Sequence, residues 1–275
     1  MSIRIGIDVG GSTTKIVGFN KGELLSPLIV KSSDPVASVY GAFGKFIADN
    51  GIKLSDVERI MVTGVGAAYI TSDIYGIETI SVSEFQSGAE GGLYLTECDK
   101  AIIVSLGTGT SLVYAERNGV SEYLGGTGVG GGTLMGLSKK MLGLNDISHI
   151  VEVAKSGNLE NIDLRIKDIS KKEIGPTLSA DITASNFGKM SDTATTEDIA
   201  LGIINMIFET AAMLAMFAAR EKGCSDIILI GQLSDFPQAK VLFENFEKTF
   251  PVKFIIPENA SHATAIGAAL IKTEE

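Results

Sequence analysis

The chain has 275 residues, of which 45% are hydrophobic and 20% charged, and its formal net charge is −10. This composition is globular and excludes a disordered or fibrous chain. The acidic balance, with no lysine or arginine cluster, disfavours nucleic acid and anionic membranes as partners. Glycine is the outlier, with 32 residues against only 6 prolines.

Strands and helices alternate along the chain, an order typical of an α/β protein. The predicted strands are residues 4–10, 15–20, 23–32, 59–63, 77–82, 101–106, 111–117, 226–231 and 252–256. The predicted helices are residues 35–50, 85–95, 137–142, 146–154, 197–222, 238–250 and 260–271. The glycine tract 125–136 and the segment 158–183 are expected to be irregular. The length suggests two lobes, which we place at residues 1–97 and 98–275.

Two segments of the chain repeat one pattern, an apolar strand, a glycine-rich turn with hydroxyl residues, and a second apolar strand. Residues 5–17 align with residues 102–114, so that Gly10 falls on Gly107 and Thr13 falls on Thr110. This similarity predicts duplicated lobes that face one another.

Both repeated turns have the composition of a phosphate-binding loop. Glycine exposes backbone N–H groups, and these groups bind anions together with nearby hydroxyls. The residues in question are Gly10, Gly11, Ser12 and Thr13 in the first turn and Gly107, Thr108, Gly109 and Thr110 in the second. Asp8 ends the first strand, where its carboxylate suits Mg²⁺ held through water. A plain tight hairpin is the alternative for either turn.

Two further glycine segments have the setting of ligand loops. Gly130, Gly131 and Gly132 end a tract that precedes a helix, where the helix N-terminus favours an anion. The alternative for this tract is a flexible loop. Gly231 and Gln232 follow an apolar strand, which is a common place for a ligand loop.

Glu84 is the carboxylate with the best setting for proton transfer. It follows a strand and stands among apolar residues that would raise its pKa. A helix N-terminal acid is the alternative interpretation. His149 and His262 are single and far apart, so both are expected to be structural.

The cysteines and the N-terminus indicate a reducing compartment. Cys98 and Cys224 stand alone, which disfavours a disulfide framework or a zinc site. The first residues lack the pattern of a signal peptide, so a cytoplasmic protein is expected. The apolar segment 200–219 carries one charge, Glu209, near its middle, which would be costly in a bilayer. We therefore interpret this segment as a buried helix at a lobe or dimer interface.

The motifs together resemble a known family. The segment from Asp8 to Lys15 resembles the first phosphate motif of the actin/hexokinase superfamily of ATPases, and residues 107–110 resemble its second. Within that superfamily the chain is similar, nearly end to end, to type II pantothenate kinases. The more specific motifs are VSEF (82–85), LGTGTSL (106–112), GGTGVGGGTLMGL (125–137), LSADITASNFG (178–188) and ENASHATAIGAA (258–269).

The resemblance implies a two-lobed actin-like ATPase fold, of the duplicated ribonuclease H-like type, with a nucleotide cleft between the lobes. It implies ATP and Mg²⁺ as cofactors, a small-molecule substrate, and a homodimer built on the long apolar helix. By position, Glu84 is the catalytic base, and Lys15 joins the nucleotide-binding residues named above. The residues implied for the substrate are Ser111, Tyr123, Ala184 and Asn186.

One position departs from the family pattern. Tyr123 stands where the family usually has an arginine, two residues before a glycine pair. A neutral phenol cannot supply the charge of a guanidinium group, so another cation such as Lys15 or Arg117 compensates, or the rate or the acceptor differs.

The resemblance makes phosphorylation of the terminal hydroxyl of pantothenate by ATP the expected activity, as the first step of coenzyme A biosynthesis. One alternative is a kinase for a related acceptor, pantetheine or N-acetylglucosamine. Another is an ATPase without an acceptor, such as the activators of 2-hydroxyacyl-CoA dehydratases, whose opening motif is similar. Those activators need cysteines for a shared iron–sulfur cluster, and neither cysteine has such a setting.

Overall fold

The computed structural model describes residues 3–170 and 180–272. It contains two large mixed sheets with helices between and outside them, which confirms the expected α/β class. The strands are β1 (Ile3–Val9), β2 (Thr13–Asn20), β3 (Glu23–Leu24), β4 (Leu28–Lys31), β5 (Val57–Thr63), β6 (Thr79–Ser81), β7 (Lys100–Leu106), β8 (Thr110–Glu116), β9 (Ser121–Thr127), β10 (Leu164–Arg165), β11 (Thr183–Ser185), β12 (Asp226–Ile230) and β13 (Lys253–Ile255). The α-helices are α1 (Pro35–Asp49), α2 (Glu84–Tyr94), α3 (Gly131–Leu142), α4 (Ile147–Ala154), α5 (Ile166–Ile169), α6 (Thr196–Lys222), α7 (Pro237–Glu247) and α8 (Ala263–Leu270).

The two sheets repeat one topology, as the aligned segments predict. In the first sheet β1 pairs antiparallel with β2 and parallel with β5, and β5 pairs parallel with β6. In the second sheet β7 pairs antiparallel with β8 and parallel with β12, and β12 pairs parallel with β13. The duplication therefore extends well beyond the two hairpins that the sequence repeat identifies.

The helices α2 and α8 lie between the sheets, and each packs on the sheet of the other half. Leu93 of α2 packs with Ile103 and Val113 of the second sheet, while Ile266 of α8 packs with Val17 of the first sheet. The expected division at residue 97 stays a prediction. Helix α8 comes after residue 97 in the chain but packs on the first sheet.

Where α2 and α8 touch, their backbones approach without side chains between them. A Cβ atom on Gly267 would overlap the carbonyl oxygen of Ser87, and one on Gly91 would overlap that of Ala263. Glycine at these two helical positions is therefore required by close packing.

Three details differ from the sequence prediction. The single strand expected at 23–32 was wrong, because Pro27, which has no N–H donor, separates β3 from β4. Strand β9 was missed, since its last residues belong to the glycine tract. Helix α3 begins at Gly131, six residues before the expected start. Its first turns were not predicted, because glycine is a poor helix former.

The segment expected to be irregular, 158–183, contains the short elements β10 and α5, and its residues 171–179 lie outside the described part of the chain. The family-like motif at 178–188 therefore begins just outside it as well. The expected helix at 260–271 starts with the 3₁₀ turn Ala260–His262 before α8.

Helix α6 is the long apolar helix of the second half. By length and composition alone it could cross a membrane. In the fold its buried side packs on the second sheet, where Ile203, Ile207 and Phe208 join the largest hydrophobic core. A capping box starts the helix, since Thr195 Oγ1 accepts from Asp198 N at 3.2 Å and Asp198 Oδ2 accepts from Thr195 N at 3.1 Å. The prediction of a buried helix is confirmed for the side that faces the second sheet, and its place at a lobe or dimer interface stays a prediction.

Candidate active site

The two glycine-rich turns meet at one cleft of about 620 Å³. A Cβ atom on Gly11 would lie only 3.5 Å from Thr108 Oγ1, so the first turn faces the second across it. The predicted site residues that line the cleft are Asp8, Gly10, Gly11, Ser12, Thr13, Lys15, Glu84, Gly107, Thr108, Gly109, Thr110, Ser111, Tyr123, Gly131, Gly132, Gly231 and Gln232. Residues far apart in the sequence are thus brought to one site.

The first turn joins β1 to β2 as a tight hairpin. Gly10 N donates to Thr13 O at 3.0 Å, and Ser12 O accepts from Ser32 N at 2.9 Å. Among the residues that the structure describes, none accepts a hydrogen bond from Gly11 N or Ser12 N. These two donors are therefore available to an anion in the cleft.

The second turn is supported from behind by the glycine tract. Gly131 N donates to Gly107 O and Gly132 N donates to Thr108 O, both at 2.8 Å. A Cβ atom on Gly130 would lie 2.7 Å from Gly109 Cα, and Gly130 does not line the cleft. This arrangement revises the expected role of the helix N-terminus, because the N–H groups of Gly131 and Gly132 hold the turn.

A buried ion pair lies at the floor of the cleft. Asp8 and Lys15 are opposite each other on β1 and β2, and Lys15 Nζ lies 3.0 Å from Asp8 Oδ2. Both side chains are almost completely buried. Gly64 has a φ of +87° and leaves room for the second carboxylate oxygen, since a Cβ there would lie 2.6 Å from Asp8 Oδ1.

Glu84 is the first residue of α2 and opens into the cleft. Ser83 caps this helix, because its Oγ accepts from Gln86 N at 3.4 Å. Although part of Glu84 is exposed to solvent, burial of its carboxyl group against the cleft wall raises its pKa. The negative charge of Asp8 raises the pKa of Glu84 further, and Lys15 opposes both effects. Glu84 is thus both a helix N-terminal acid and a carboxyl group whose pKa is displaced towards that of a general base.

An aromatic pair stands beside Glu84. The rings of Phe85 and Tyr123 stack with centroids 4.1 Å apart and an interplanar angle of 23°. Tyr123 lies on β9, the strand that sequence analysis missed. Extending the internal repeat by one strand could have found β9, because β9 pairs with β8 as β3 and β4 pair with β2.

Arg117 does not compensate for the absent arginine, so that alternative is wrong. Its guanidinium lies at the far end of α2, where Nη2 donates to the carbonyl oxygens of Leu93, Thr96 and Cys98 at 2.8–2.9 Å. Arg117 caps the end of a helix and does not line the cleft.

The strand-end loop after β12 closes another side of the cleft. Gly231 has a φ of +93°, and a Cβ there would lie 2.7 Å from Leu106 O. Gly231 N donates to Ala260 O at 3.0 Å, which ties this loop to the segment before α8. Gln232 lines the cleft beside it.

Ala184 and Asn186 lie apart from the cleft within this chain. Asn186 Nδ2 donates to Glu209 Oε2 at 2.7 Å, and Thr183 Oγ1 donates to Glu209 Oε1 at 2.6 Å. These hydrogen bonds hold the segment that contains Ala184 against α6. The substrate role of Ala184 and Asn186 stays a prediction.

Three lining residues stand outside every motif identified in the sequence, Val65, Ile147 and Leu233, because each comes close to the cleft only through the fold.

His262 lies near Asp8 and Lys15. Burial, together with the positive charge of Lys15, lowers the pKa of His262 to about 4, so the ring is neutral near pH 7.

Of the described residues, no group of three His, Cys, Asp or Glu side chains could hold a metal by itself.

Structural comparisons show the fold. The activator of the 2-hydroxyisocaproyl-CoA dehydratase from Clostridium difficile, solved with bound ADPNP, superposes with a TM-score of 0.69 at 18% identity, over 98% of this chain and 93% of that one. A ROK family glucokinase from Streptomyces griseus, in complex with glucose and AMPPNP, gives a TM-score of 0.61 at 14% identity, over 97% and 98%. Both match the expected two-lobed actin-like fold.

Sequence comparisons show the family. The Fumble family model matches residues 99–239, about half of the chain. A type II pantothenate kinase of Oceanobacillus iheyensis is 30% identical over 97% of this chain and 98% of the relative. One of Bacillus cereus is 29% identical over 100% of both chains. These matches, with the two glycine-rich turns and Glu84 in one cleft, show that the chain belongs to the type II pantothenate kinase family.

Proposed function

We propose that the protein transfers the γ-phosphoryl group of ATP to the terminal hydroxyl of pantothenate. The product is 4′-phosphopantothenate, and the reaction is the first step of coenzyme A biosynthesis. The observation that carries this proposal is the position of Glu84, a carboxyl group with a raised pKa that lines the same cleft as two phosphate-type turns. Full-length likeness to curated pantothenate kinases supports the choice of acceptor.

Each residue then has a task in the transfer. The Glu84 carboxylate accepts the hydroxyl proton while the hydroxyl oxygen bonds to the γ-phosphorus and the bond to the β-phosphate oxygen breaks, which releases ADP. The N–H groups of Gly11 and Ser12, with the hydroxyls of Thr13 and Thr108, stabilise the phosphate charge. Gly231 and Gln232 border the nucleotide.

Mg²⁺ fits this cleft as an ion shared with the nucleotide. Asp8 presents one carboxylate there, and Mg²⁺ is commonly held by one or two carboxylates, water and substrate phosphates. Asp8 would hold the ion through water, and the ion would neutralise phosphate charge. Lys15, paired with Asp8, fixes the direction of that carboxylate.

Ser111 and Tyr123 line the same cleft as Glu84, which supports the proposal that they contact the acceptor.

An acceptor-less activator function has less support. The observation in favour of this function is the similarity in fold to the dehydratase activator. At 18% sequence identity, that similarity shows the fold alone. Cys98 and Cys224 are free thiols, and Cys224 hydrogen-bonds to main-chain oxygens.

An ATP-consumption assay tests the proposal. The purified enzyme with Mg²⁺ and ATP is given pantothenate, pantetheine, N-acetylglucosamine or no acceptor. We expect pantothenate to raise ADP formation above the rate without acceptor and N-acetylglucosamine to leave that rate unchanged. An enzyme that makes ADP at one rate in all four mixtures would contradict the kinase function, and a response to the sugar alone would assign another acceptor.

The homodimer forms on the exposed side of α6. A groove of about 1050 Å³ runs beside this helix, lined by Met213, Met216 and Phe217 of α6 and by Phe246 and Phe250. Phe217 is largely exposed in the single chain. A second copy of the chain would bury this surface, where the exposed apolar side chains are gathered in one groove and not scattered singly.

A cytoplasmic location fits the two free cysteines.

Phe217→Glu is expected to convert the dimer to a monomer, because the substitution removes a large apolar side chain from the interface and would bury a charge in its place. Light scattering after size-exclusion chromatography measures the mass directly. Val241→Glu is the matched control, since Val241 is an exposed apolar residue on α7 outside the groove. A wild-type protein that elutes as a monomer, or a Phe217→Glu variant that stays dimeric, would contradict this interface.

A further inference from the structure

Three exposed side chains with large apolar surfaces gather in the cleft that contains Glu84. Val65 is 71% exposed, Tyr123 51% and Phe85 39%, and all three line this cleft. Exposed apolar side chains that are scattered singly are ordinary on a protein surface, whereas a group of them inside a concave site marks a surface that a ligand covers. We call Val65, Phe85 and Tyr123 the apolar wall.

The aromatic part of the wall is tied to the position of the general base. Phe85 follows Glu84 directly in the first turn of α2. Tyr123 comes from β9, and its ring stacks on that of Phe85 with centroids 4.1 Å apart. A helix and a strand thus hold the two rings together beside the carboxyl group.

The aliphatic part of the wall is tied to the same place through the first sheet. Val65 comes two residues after the end of β5 and starts a 3₁₀ turn. The end of β5 is joined to the residues that precede Glu84, because Thr63 Oγ1 donates to Val82 O at 3.0 Å. Val65 therefore approaches the base from a third element.

The proposed acceptor has an apolar group close to its reacting oxygen. Its hydroxyl must lie within about 3 Å of the Glu84 carboxylate when the proton is transferred. In pantothenate the carbon that carries this hydroxyl is bonded to a quaternary carbon with two methyl groups, so both methyl groups are three bonds from the reacting oxygen. A hydroxyl placed at Glu84 therefore brings the methyl groups towards the wall, whatever the far end of the acceptor is.

We infer that the apolar wall makes the enzyme select acceptors in which a quaternary carbon adjoins the carbon that carries the reacting hydroxyl. The inference rests on the proposed function and adds the chemical feature by which the acceptor is recognised. Contact with the wall removes the two methyl groups from water, and an unbranched acceptor lacks this contact. Tyr123 is a specificity-determining residue of this selection.

The test compares kcat/KM for pantothenate and for the analogue that has hydrogen atoms in place of both methyl groups. Mg·ATP is saturating, and the phosphorylated products are measured directly. We expect the wild-type enzyme to favour pantothenate by about tenfold or more, because one methylene group in an apolar pocket already changes kcat/KM by about 10–200-fold.

Two substitutions that shorten the wall should lower this ratio. Tyr123→Ala should reduce kcat/KM for pantothenate by about tenfold and change that for the analogue little, so that the ratio falls towards one. Val65→Ala should lower the ratio by a smaller factor, and it leaves the core intact because Val65 is largely exposed. Tyr123→Phe should keep the wild-type ratio, since the face of the ring makes the contact and the phenol hydroxyl does not.

Tyr94→Ala is the matched control, because Tyr94 is an exposed aromatic residue at the other end of α2, outside the cleft. It should leave the ratio unchanged. A wild-type enzyme that phosphorylates both acceptors equally well overturns the inference and leaves the proposed function standing. A wild-type ratio in folded Tyr123→Ala and Val65→Ala, or a ratio near one in Tyr123→Phe, also overturns it. If neither acceptor is phosphorylated, the proposed function itself fails, and the inference with it.

Discussion

Replacing Glu84 by Gln is expected to lower kcat by about 10²–10⁴-fold, the usual contribution of a positioned general base. The amide keeps the size of the side chain and cannot accept the proton of the attacking hydroxyl. Binding of a non-hydrolysable ATP analogue should persist, because the phosphate-type turns at 10–13 and 107–110 remain intact. Single-turnover kinetics and calorimetric titration measure the two quantities separately.

The pH dependence of kcat gives an independent view of the same residue. Since burial and the charge of Asp8 raise the pKa of Glu84, protonation removes the base at a higher pH than for an ordinary glutamate. The rate should fall as pH decreases through this raised pKa, and Glu84→Gln should abolish that fall. A raised pKa also means that the folded state disfavours the ionised carboxylate, so the variant should be at least as stable at pH 7.

Glu90→Gln is the control for this experiment. Glu90 is exposed on the same helix and does not line the cleft, so its loss should leave both the rate and the pH profile unchanged. Wild-type turnover in Glu84→Gln would refute the assignment of Glu84 as the base.

Gly267→Ala is expected to have the largest effect on stability, a loss of about 3 kcal/mol in the free energy of unfolding. The new methyl group would overlap Ser87 O and force α2 and α8 apart. Alanine normally stabilises a helix relative to glycine by up to about 1 kcal/mol, so the clash must outweigh this gain. Thermal unfolding followed by circular dichroism should show a midpoint lower by roughly 5–10 °C.

Gly41→Ala makes the same change where there is space. Gly41 lies within α1, and a Cβ there would have no atom within 4 Å. This variant should be slightly more stable than the wild type, by about 0.5–1 kcal/mol. Equal effects of the two substitutions would mean that helix propensity, and not the contact between α2 and α8, determines the result.

Local patterns in the sequence predict most of the elements, and contacts between distant residues explain the rest. Asp34 and Pro35 mark the start of α1, and the capping pair Thr195 and Asp198 marks that of α6. The start of α3 could not be predicted in this way, because Gly131 is stabilised there by a bond to Gly107, 24 positions earlier.

In the candidate site, too, the residues with a local sequence signature could be predicted and those defined by distant contacts could not. The phosphate-type turns and Glu84 could be identified because each has a local signature of glycine, hydroxyl or acid after a strand. The stack of Phe85 on Tyr123 could not, since it joins α2 to a strand that only sheet pairing defines. The support that Gly130 gives behind the second turn could not be predicted either, because it depends on a close approach to Gly109, which is distant in the sequence.

The exchange of α2 and α8 between the sheets ties the two halves into one cooperative folding unit. A fragment cut after residue 97 would leave Val17 and Phe19 of the first sheet without the cover that Ile266 and Ala269 provide from the far end of the chain. The second sheet would in turn lose Leu93. Because the first sheet is covered by a helix from the far end of the chain, we expect a chain that ends before α8 to be destabilised in the half that holds Asp8 and Lys15.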